Sequence, residues 1–351
     1  MASSINKPAW LEWMAALMEG ASQQTCAAPL PPDRFHCRLD DLPFHLIPRR
    51  AVRKLGLESR ESFAGEPLYL NPECRLCSGG QVPPEMTARM DLLAGLANDG
   101  TIAWVRDQPD QTLRPFWLGP QFESIVRGLT AGEPILVGLD RDARLRLAAA
   151  GILVPADDFS RRQREQEEVV QTLSAGFRAK GYAPISGLIH PFHVAALRRY
   201  YRYLVRSGAI RLGDGQSARR YVAYNEPVAR FFHHQIAKSF SALAGEPLKP
   251  SYVYLASYLS GAELRKHIDR EQCEFSITLC LDFSPEPELE TPWPIELDTP
   301  EGSVAVCQAL GDGLAYRGTR LPHYRGVLGE GRTSTSIFFH YVPMDFAGPL
   351  D

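Results

Sequence analysis

Two histidines and a carboxylate in this chain are spaced to hold one metal ion. His267-Ile268-Asp269 sets an imidazole and a carboxylate two residues apart. In an extended segment, residues i and i+2 project from the same face, so both can reach one ion. His323 comes from a later segment, and the chain between must fold back to bring it to the first two. Two histidines and one carboxylate are the facial ligand set that suits Fe(II) and leaves open positions, where a chelating 2-oxo acid and then O2 can bind. A zinc centre closed by four cysteines could not do this. Arg332 stands nine residues beyond His323, with Ser334 two residues further on, and a strand would point both to one side. A planar guanidinium makes two parallel hydrogen bonds to a carboxylate, which lysine cannot reproduce. An HxD pair alone arises often by chance, so the flanking residues carry the weight.

The stretch 251–343 resembles the catalytic core of Fe(II)/2-oxoglutarate-dependent oxygenases, particularly the prolyl-hydroxylase-like branch, and the resemblance reaches back to about residue 180. The residues that carry it are Tyr258-x-x-Gly261, His267-Ile268-Asp269, the alternating Ser276-Ile277-Thr278-Leu279, Gly311-Asp312-Gly313 in a turn before a strand, His323, and Arg332-x-Ser334. The resemblance implies that His267, Asp269 and His323 are the metal ligands and catalytic centre. It implies Fe(II) as cofactor, 2-oxoglutarate and O2 as cosubstrates, and succinate and CO2 as coproducts. It also implies that Arg332 binds the distal carboxylate of 2-oxoglutarate with help from Ser334, with Tyr258 either a further contact or a packing residue. Arg325 competes with Arg332, but at two residues from His323 it is expected to lie too close to reach the far end of the cosubstrate. In the halogenase branch a small residue replaces the acid; Asp269 is present, which disfavours that route.

The expected reaction is hydroxylation of an unactivated C–H bond in an amino acid, a peptide or a biosynthetic intermediate. Desaturation or cyclisation on the same scaffold is an alternative. A cupin-like metal enzyme that does not use 2-oxoglutarate is another reading, although cupins usually offer more histidines at closer spacing. A non-catalytic binding module on a degenerate scaffold would lack a ligand, and none is missing. On the substrate side, Arg270 follows Asp269 directly, with Glu271 and Gln272 after it, and Arg325 lies near His323 with Arg317 and Arg320. Tyr224 and Asn225, with Tyr221, are candidates for the mouth of the site. Exposed turns and plain packing are the competing roles for all of these.

These residues need elements to position them. From residue 249 onward, short apolar runs at 252–258, 274–283, 293–297, 303–309, 314–316 and 333–341 are separated mostly by Pro, Gly or Asp. Many short strands in a row predict a two-sheet jelly roll, the double-stranded β-helix. Upstream helices are predicted at 191–207, with Pro191 in the first turn and Gly208 as the stop, and at 228–244. His233 and His234 on the latter are adjacent and share no face, so they read as surface or packing histidines. A longer helix runs through the charged stretch 161–168 and ends near 179.

The fold class is therefore α+β: a C-terminal jelly roll with flanking helices, plus a smaller N-terminal mixed α/β domain. The boundary falls at Pro155-Ala156-Asp157-Asp158, giving an accessory domain over 1–156 and an oxygenase domain over 157–351. In the first part, helices are predicted at 9–24, 84–98, 121–129 and 140–150, strands at 103–105 and 152–154, and turns at 31–33 and 78–80. This alternation is loosely similar to the winged-helix peptide-recognition modules attached to peptide-tailoring enzymes, which implies recognition of a peptide or carrier protein. The other reading is a cap on the catalytic domain. Cys74-x-x-Cys77 would need two more ligands to hold zinc, and Cys26, His36 and Cys37 do not match a common spacing, so reduced thiols are the default.

A net charge of −3 over 351 residues shows no basic excess, which argues for a small-molecule or peptide partner and against nucleic acid. Seven cysteines scattered along the chain make a disulfide framework unlikely and point to a reducing, cytoplasmic setting. The apolar run 10–18 is too short and interrupted for a signal or membrane segment.

Overall fold

The computed structural model describes residues 34–54, 67–107, 111–135, 139–156 and 158–351. The helix expected at 9–24, the turn at 31–33, Cys26, and Asp157 of the expected boundary lie outside the described residues.

In the first part, helices α1 (Arg49–Lys54), α2 (Pro84–Thr87), α3 (Pro120–Arg127) and α4 (Arg141–Ala149) accompany two small sheets. One pairs β1 (Leu68–Leu70) with β5 (Leu153–Pro155); the other runs β2 (Cys74–Ser78), β3 (Thr101–Arg106), β4 (Leu113–Leu118). Asp140 caps α4 by accepting from the Ala143 N–H, and Gly151 (φ 74°) turns the chain into β5. The helix expected over 84–98 is not continuous: α2 ends at Thr87 and a single 3-10 turn covers Met90–Leu93. The cause is tertiary. The Phe35 N–H donates to the Gly95 carbonyl and the Ala97 N–H to the Phe35 carbonyl, so this backbone pairs with a distant segment. A side chain at Gly95 would also collide with Val228 and Pro227.

The second part holds α5 (Asp158–Lys180), α6 (Pro191–Arg206) and α7 (Pro227–Ala244) with two larger antiparallel sheets. Seven strands run in the order β6 (Tyr182–Ile185), β14 (Gly313–Tyr316), β11 (Phe275–Ser284), β16 (Thr333–Pro343), β9 (Leu248–Tyr258), β8 (Arg220–Tyr224), β7 (Arg211–Leu212). Four more run β10 (Leu264–His267), β15 (His323–Arg325), β12 (Ile295–Thr299), β13 (Gly302–Val306). The protein is thus a mixed α/β chain with large antiparallel sheets. No helix of the described residues is long and apolar enough to cross a membrane, and the six described cysteines are free.

The two-residue period of the strands divides the large sheet into unlike faces. On one face, Val253, Leu255, Ile277, Leu279, Ile337 and Phe339 are fully buried in the cluster that holds the helices. There Phe240 of α7 meets Tyr341 at 5.0 Å and Phe275 at 6.2 Å between ring centroids. On the other face, Tyr252, Tyr254, Tyr258, Ser276, Thr278, Phe338 and His340 turn toward the four-stranded sheet. That mixed polar and aromatic surface does not pack as an apolar core, and a cavity opens along it.

The first part packs on α6 and α7. Trp104, Phe116 and Trp117 share a buried cluster with Phe192, Phe231 and Phe232. His193 is buried at this junction, with Nε2 2.9 Å from the Pro115 carbonyl, and burial pushes its pKa down to about 3. The unfolded histidine binds a proton at about pH 6.5, whereas the folded one stays neutral until about 3. As pH falls between those values only the unfolded state gains the proton, and His193 withdraws about 1.4 kcal/mol of stability per pH unit. Urea unfolding across that range should show the loss, and His193→Leu should flatten the slope by one proton. An unchanged slope would place the titration elsewhere.

Candidate metal centre

Sheet pairing brings the ligands together. His267 ends β10 and His323 begins β15, and the two stand directly opposite each other in the antiparallel register. Their rings lie 4.4 Å apart between centroids. Asp269 Oδ1 is 3.6 Å from Nε2 of each histidine. All three ligand atoms lie within 4.8 Å of one another, a spread that a single ion spans. Each imidazole is oriented by its other nitrogen. Nδ1–H of His267 donates to the Arg265 carbonyl (2.8 Å) and Nδ1–H of His323 to the Leu321 carbonyl (3.0 Å), which leaves both Nε2 lone pairs aimed inward. Burial lowers the pKa of His323 against the opposing field of Asp269, so its ring is neutral and free to ligate near neutral pH.

The carboxylate is held from two sides. The Asp269 N–H donates to the Gly318 carbonyl at 2.9 Å, and Oδ2 accepts from Ser276 Oγ at 3.2 Å. Ser276 Oγ in turn lies 2.8 Å from Nδ1 of His340. Burial pushes the His340 pKa down to about 4, so the neutral ring donates from Nδ1 to Ser276, which passes its own proton to Asp269. A Cβ at Gly318 would press into Asp269 Oδ2 and the Cys273 carbonyl, so only glycine leaves the carboxylate where it is. Asp269, Cys273 and His340 also come within 4.8 Å of one another. Burial raises the Cys273 thiol to about 12, and a protonated thiol beside the Tyr252 hydroxyl (2.9 Å) is a poor metal ligand.

A cavity of about 320 Å³ runs outward from this centre, lined by His267, Asp269, His323, His340 and a set of aromatic and charged side chains. Tyr258, Tyr224 and Arg270 are among them. Tyr258 is fully buried, and its hydroxyl accepts from Arg220 at 3.1 Å. Asn225 is not brought to the cavity. It holds the turn before α7 with φ 49°, and its Oδ1 accepts from the Val253 N–H at 3.1 Å. Tyr221 faces the helical side of its strand, in the core cluster. Arg317 and Arg320 pair with Glu274.

The two candidate arginines part ways. Arg332 is half-exposed, its side chain lies over Gly329, and it does not line the cavity. Ser334 is buried opposite Tyr258. Arg325 is buried between the sheets, donating to the Trp293 carbonyl (2.7 Å) and Gln308 Oε1 (3.3 Å), with its charge 4.8 Å from the Trp293 ring. Its Nε has no partner among the described residues. His323 and Arg325 are two residues apart on β15, so both side chains leave the same face of the strand.

Sequence reasoning missed Arg220 and Asp214, because the β7–β8 hairpin was not read as strands. Arg220 donates to Asp214 and to Gln216, and Tyr254 also donates to Asp214. Burial raises the Asp214 pKa, but those hydrogen bonds outweigh it and hold the carboxyl at about 2. The Tyr252-x-Tyr254-x-x-x-Tyr258 spacing was the available signal, since those positions share one strand face.

The support of Asp269 yields a test. Gly318→Ala and Ser276→Ala should each weaken Mn(II) affinity by about 10- to 100-fold, read by electron paramagnetic resonance titration, with circular dichroism confirming retained structure. Wild-type affinity in both would mean that Asp269 needs neither support.

No protein-family model matches the sequence, and no curated protein matches it. Solved structures similar to this chain are Fe(II)/2-oxoglutarate oxygenases. The epimerase SnoN, in complex with Fe3+, alpha ketoglutarate and nogalamycin RO, is 16% identical with a TM-score of 0.42, covering 53% of this chain and 94% of its own. A Pseudomonas putida prolyl-4-hydroxylase is 17% identical with a TM-score of 0.40, covering 49% of this chain and 98% of its own. HygX from Streptomyces hygroscopicus, with nickel and 2-oxoglutarate bound, is 12% identical with a TM-score of 0.40, covering 50% of this chain and 87% of its own.

Proposed function

We propose that the protein is an Fe(II)- and 2-oxoglutarate-dependent oxygenase with a double-stranded β-helix core, hydroxylating a C–H bond of a small-molecule or peptide substrate. The observation that carries this reading is an open three-ligand centre next to a buried arginine that forms no ion pair with any acid of the described residues. The donor set fits the metal: two neutral imidazole nitrogens and one carboxylate oxygen leave half of an octahedral shell free. When bound, Fe(II) with 2-oxoglutarate and O2 supplies the oxidising chemistry, with succinate and CO2 as coproducts.

The chain's own residues define the rest. His267, Asp269 and His323 hold the metal on one side. Arg325, and not Arg332, takes the distal carboxylate of 2-oxoglutarate. A buried guanidinium without a counter-ion is costly, and burial already lowers the Arg325 pKa. Tyr258, whose hydroxyl accepts from Arg220, keeps its own proton to donate to the same carboxylate. Trp293, Leu328 and Phe338 belong to one buried apolar cluster with Tyr258, and they exclude water from the inner end.

Anaerobic titration of the Fe(II) protein with 2-oxoglutarate tests this. The wild type should develop a weak visible charge-transfer band, and His267→Ala should not. Arg325→Met should raise the half-saturating 2-oxoglutarate concentration by about 100-fold, the loss of a charge-assisted bidentate pair. The same change should leave the metal-free protein as stable as before or more so, because it removes an unmatched buried charge. Arg332→Met should shift the titration by less than about threefold, the scale of an exposed charge. Collapse in Arg332→Met with none in Arg325→Met would reverse the assignment, and a wild type without the band would remove 2-oxoglutarate altogether.

A further inference from the structure

The cavity leaves one cation unmatched. With the inner site filled as proposed above, on which this inference rests, the charges of Fe(II) and Arg325 are balanced by Asp269 and the two carboxylates of 2-oxoglutarate. Arg220 is balanced by Asp214, at hydrogen-bond distance. Arg270 also lines the cavity, and no carboxylate of the described residues forms an ion pair with it.

Arg270 is nevertheless held in place. Its Nε donates to the Tyr252 hydroxyl at 3.3 Å, and its guanidinium carbon lies 4.7 Å from the centre of the Tyr252 ring. Tyr252 is fixed behind it by its hydroxyl contact with Cys273 (2.9 Å) and by the ring of His340 (4.6 Å). Tyr224 stacks on the buried Tyr252 at 4.9 Å and is itself 44% exposed, so the outer face of its ring is the open aromatic surface beside the cation at the mouth. Arg270 lines the same cavity as the ligands His267, Asp269 and His323, so what it grips shares that cavity with the metal centre.

We propose that Arg270 anchors a carboxylate of the primary substrate, whose planar body lies on the exposed ring of Tyr224. The chemical class is an aryl or otherwise flat monocarboxylic acid. One positive charge matches one carboxylate, whereas a phosphate dianion would leave the mouth negative. Arg270 is itself exposed, but an arginine already stacked and hydrogen-bonded costs little ordering entropy when it binds.

The test uses the full-length protein loaded with Zn(II) and saturating 2-oxoglutarate, so that added acids cannot occupy the inner site and no turnover occurs. 3-Phenylpropionate, 4-hydroxyphenylacetate and indole-3-acetate are titrated against their primary amides by saturation-transfer NMR. At least one acid should bind about tenfold or more tightly than its amide, the scale of one charge-assisted contact. Arg270→Gln should abolish that preference and Arg270→Lys should keep part of it. Calorimetry of 2-oxoglutarate binding to each protein reports whether the inner site is intact. Equal or absent binding of acids and amides, or a preference that survives Arg270→Gln with 2-oxoglutarate bound, overturns this proposal alone. Failure of the wild type to bind 2-oxoglutarate overturns the reading beneath it and the proposal with it.

Discussion

Strands β9, β11 and β16 bury both faces, and the two faces need opposite things. Toward the helices they present Val253, Ile277 and Phe339, which gain by leaving water and ask for nothing else. Toward the second sheet they present hydroxyls, an imidazole and tyrosines, which lose hydration and must find partners. Most do. Thr278 Oγ1 meets the Tyr316 hydroxyl at 3.4 Å, Ser276 joins His340 to Asp269, and Gln308 Nε2 donates to the Thr278 carbonyl at 2.8 Å while its Oε1 accepts from Arg325. Among the described residues, two buried polar atoms between the sheets stay unpartnered: Arg325 Nε and Ser336 Oγ. A sheet face that mixes an apolar cluster with buried hydroxyls and imidazoles, and leaves donors open among them, is shaped for a polar ligand.

Charge is ordered along the same cavity. The three ligands, the neutral Arg220–Asp214 pair and Arg270 line it, while Arg325 is buried between the sheets with no acidic ion-pair partner among the described residues. Two unmatched cations flank the metal centre, and the acid that could have quenched either one is absent from its described neighbourhood. This pattern supports one anion on each side of the metal: a cosubstrate carboxylate inside and a substrate carboxylate outside. The Arg220–Asp214 pair carries no net charge, and it fixes Tyr258 and Tyr254 in place by hydrogen bonds.

Much of this was legible in the chain. The strands beyond residue 249 alternate or run apolar, and helices 191–207 and 228–244 carry their own start and stop residues, so local chemistry and tertiary structure agree there. His267 and Asp269 were visible because their two-residue spacing is itself a strand property. What was not legible has a common cause. Strands β10 and β15 are four and three residues long and carry charged side chains, so only their partners make them strands. Spacing along the chain favours Arg332 over Arg325, whereas the proposal of Arg325 rests on burial, which the spacing does not contain. The helix at 84–98 satisfied every local rule and was interrupted by hydrogen bonds from Phe35, far upstream. Asn225 looked like a polar contact at the mouth, while its left-handed conformation commits its side chain to the turn.

Asp269 is the ligand on which the two sheets meet. His267 and His323 belong to the small sheet, and a metal held by them alone would rest on that sheet only. Asp269 reaches across: its backbone N–H is tied to Gly318 beyond β14, and its Oδ2 to Ser276 on β11, both on the large-sheet side. A metal bound through Oδ1 therefore clamps one sheet to the other, and its binding free energy adds to the stability of the whole sandwich by mass action. The same clamp explains why the carboxylate has a glycine and a serine–histidine relay behind it. If Asp269 could swing, the ion would lose the one ligand that ties the small sheet to the large one.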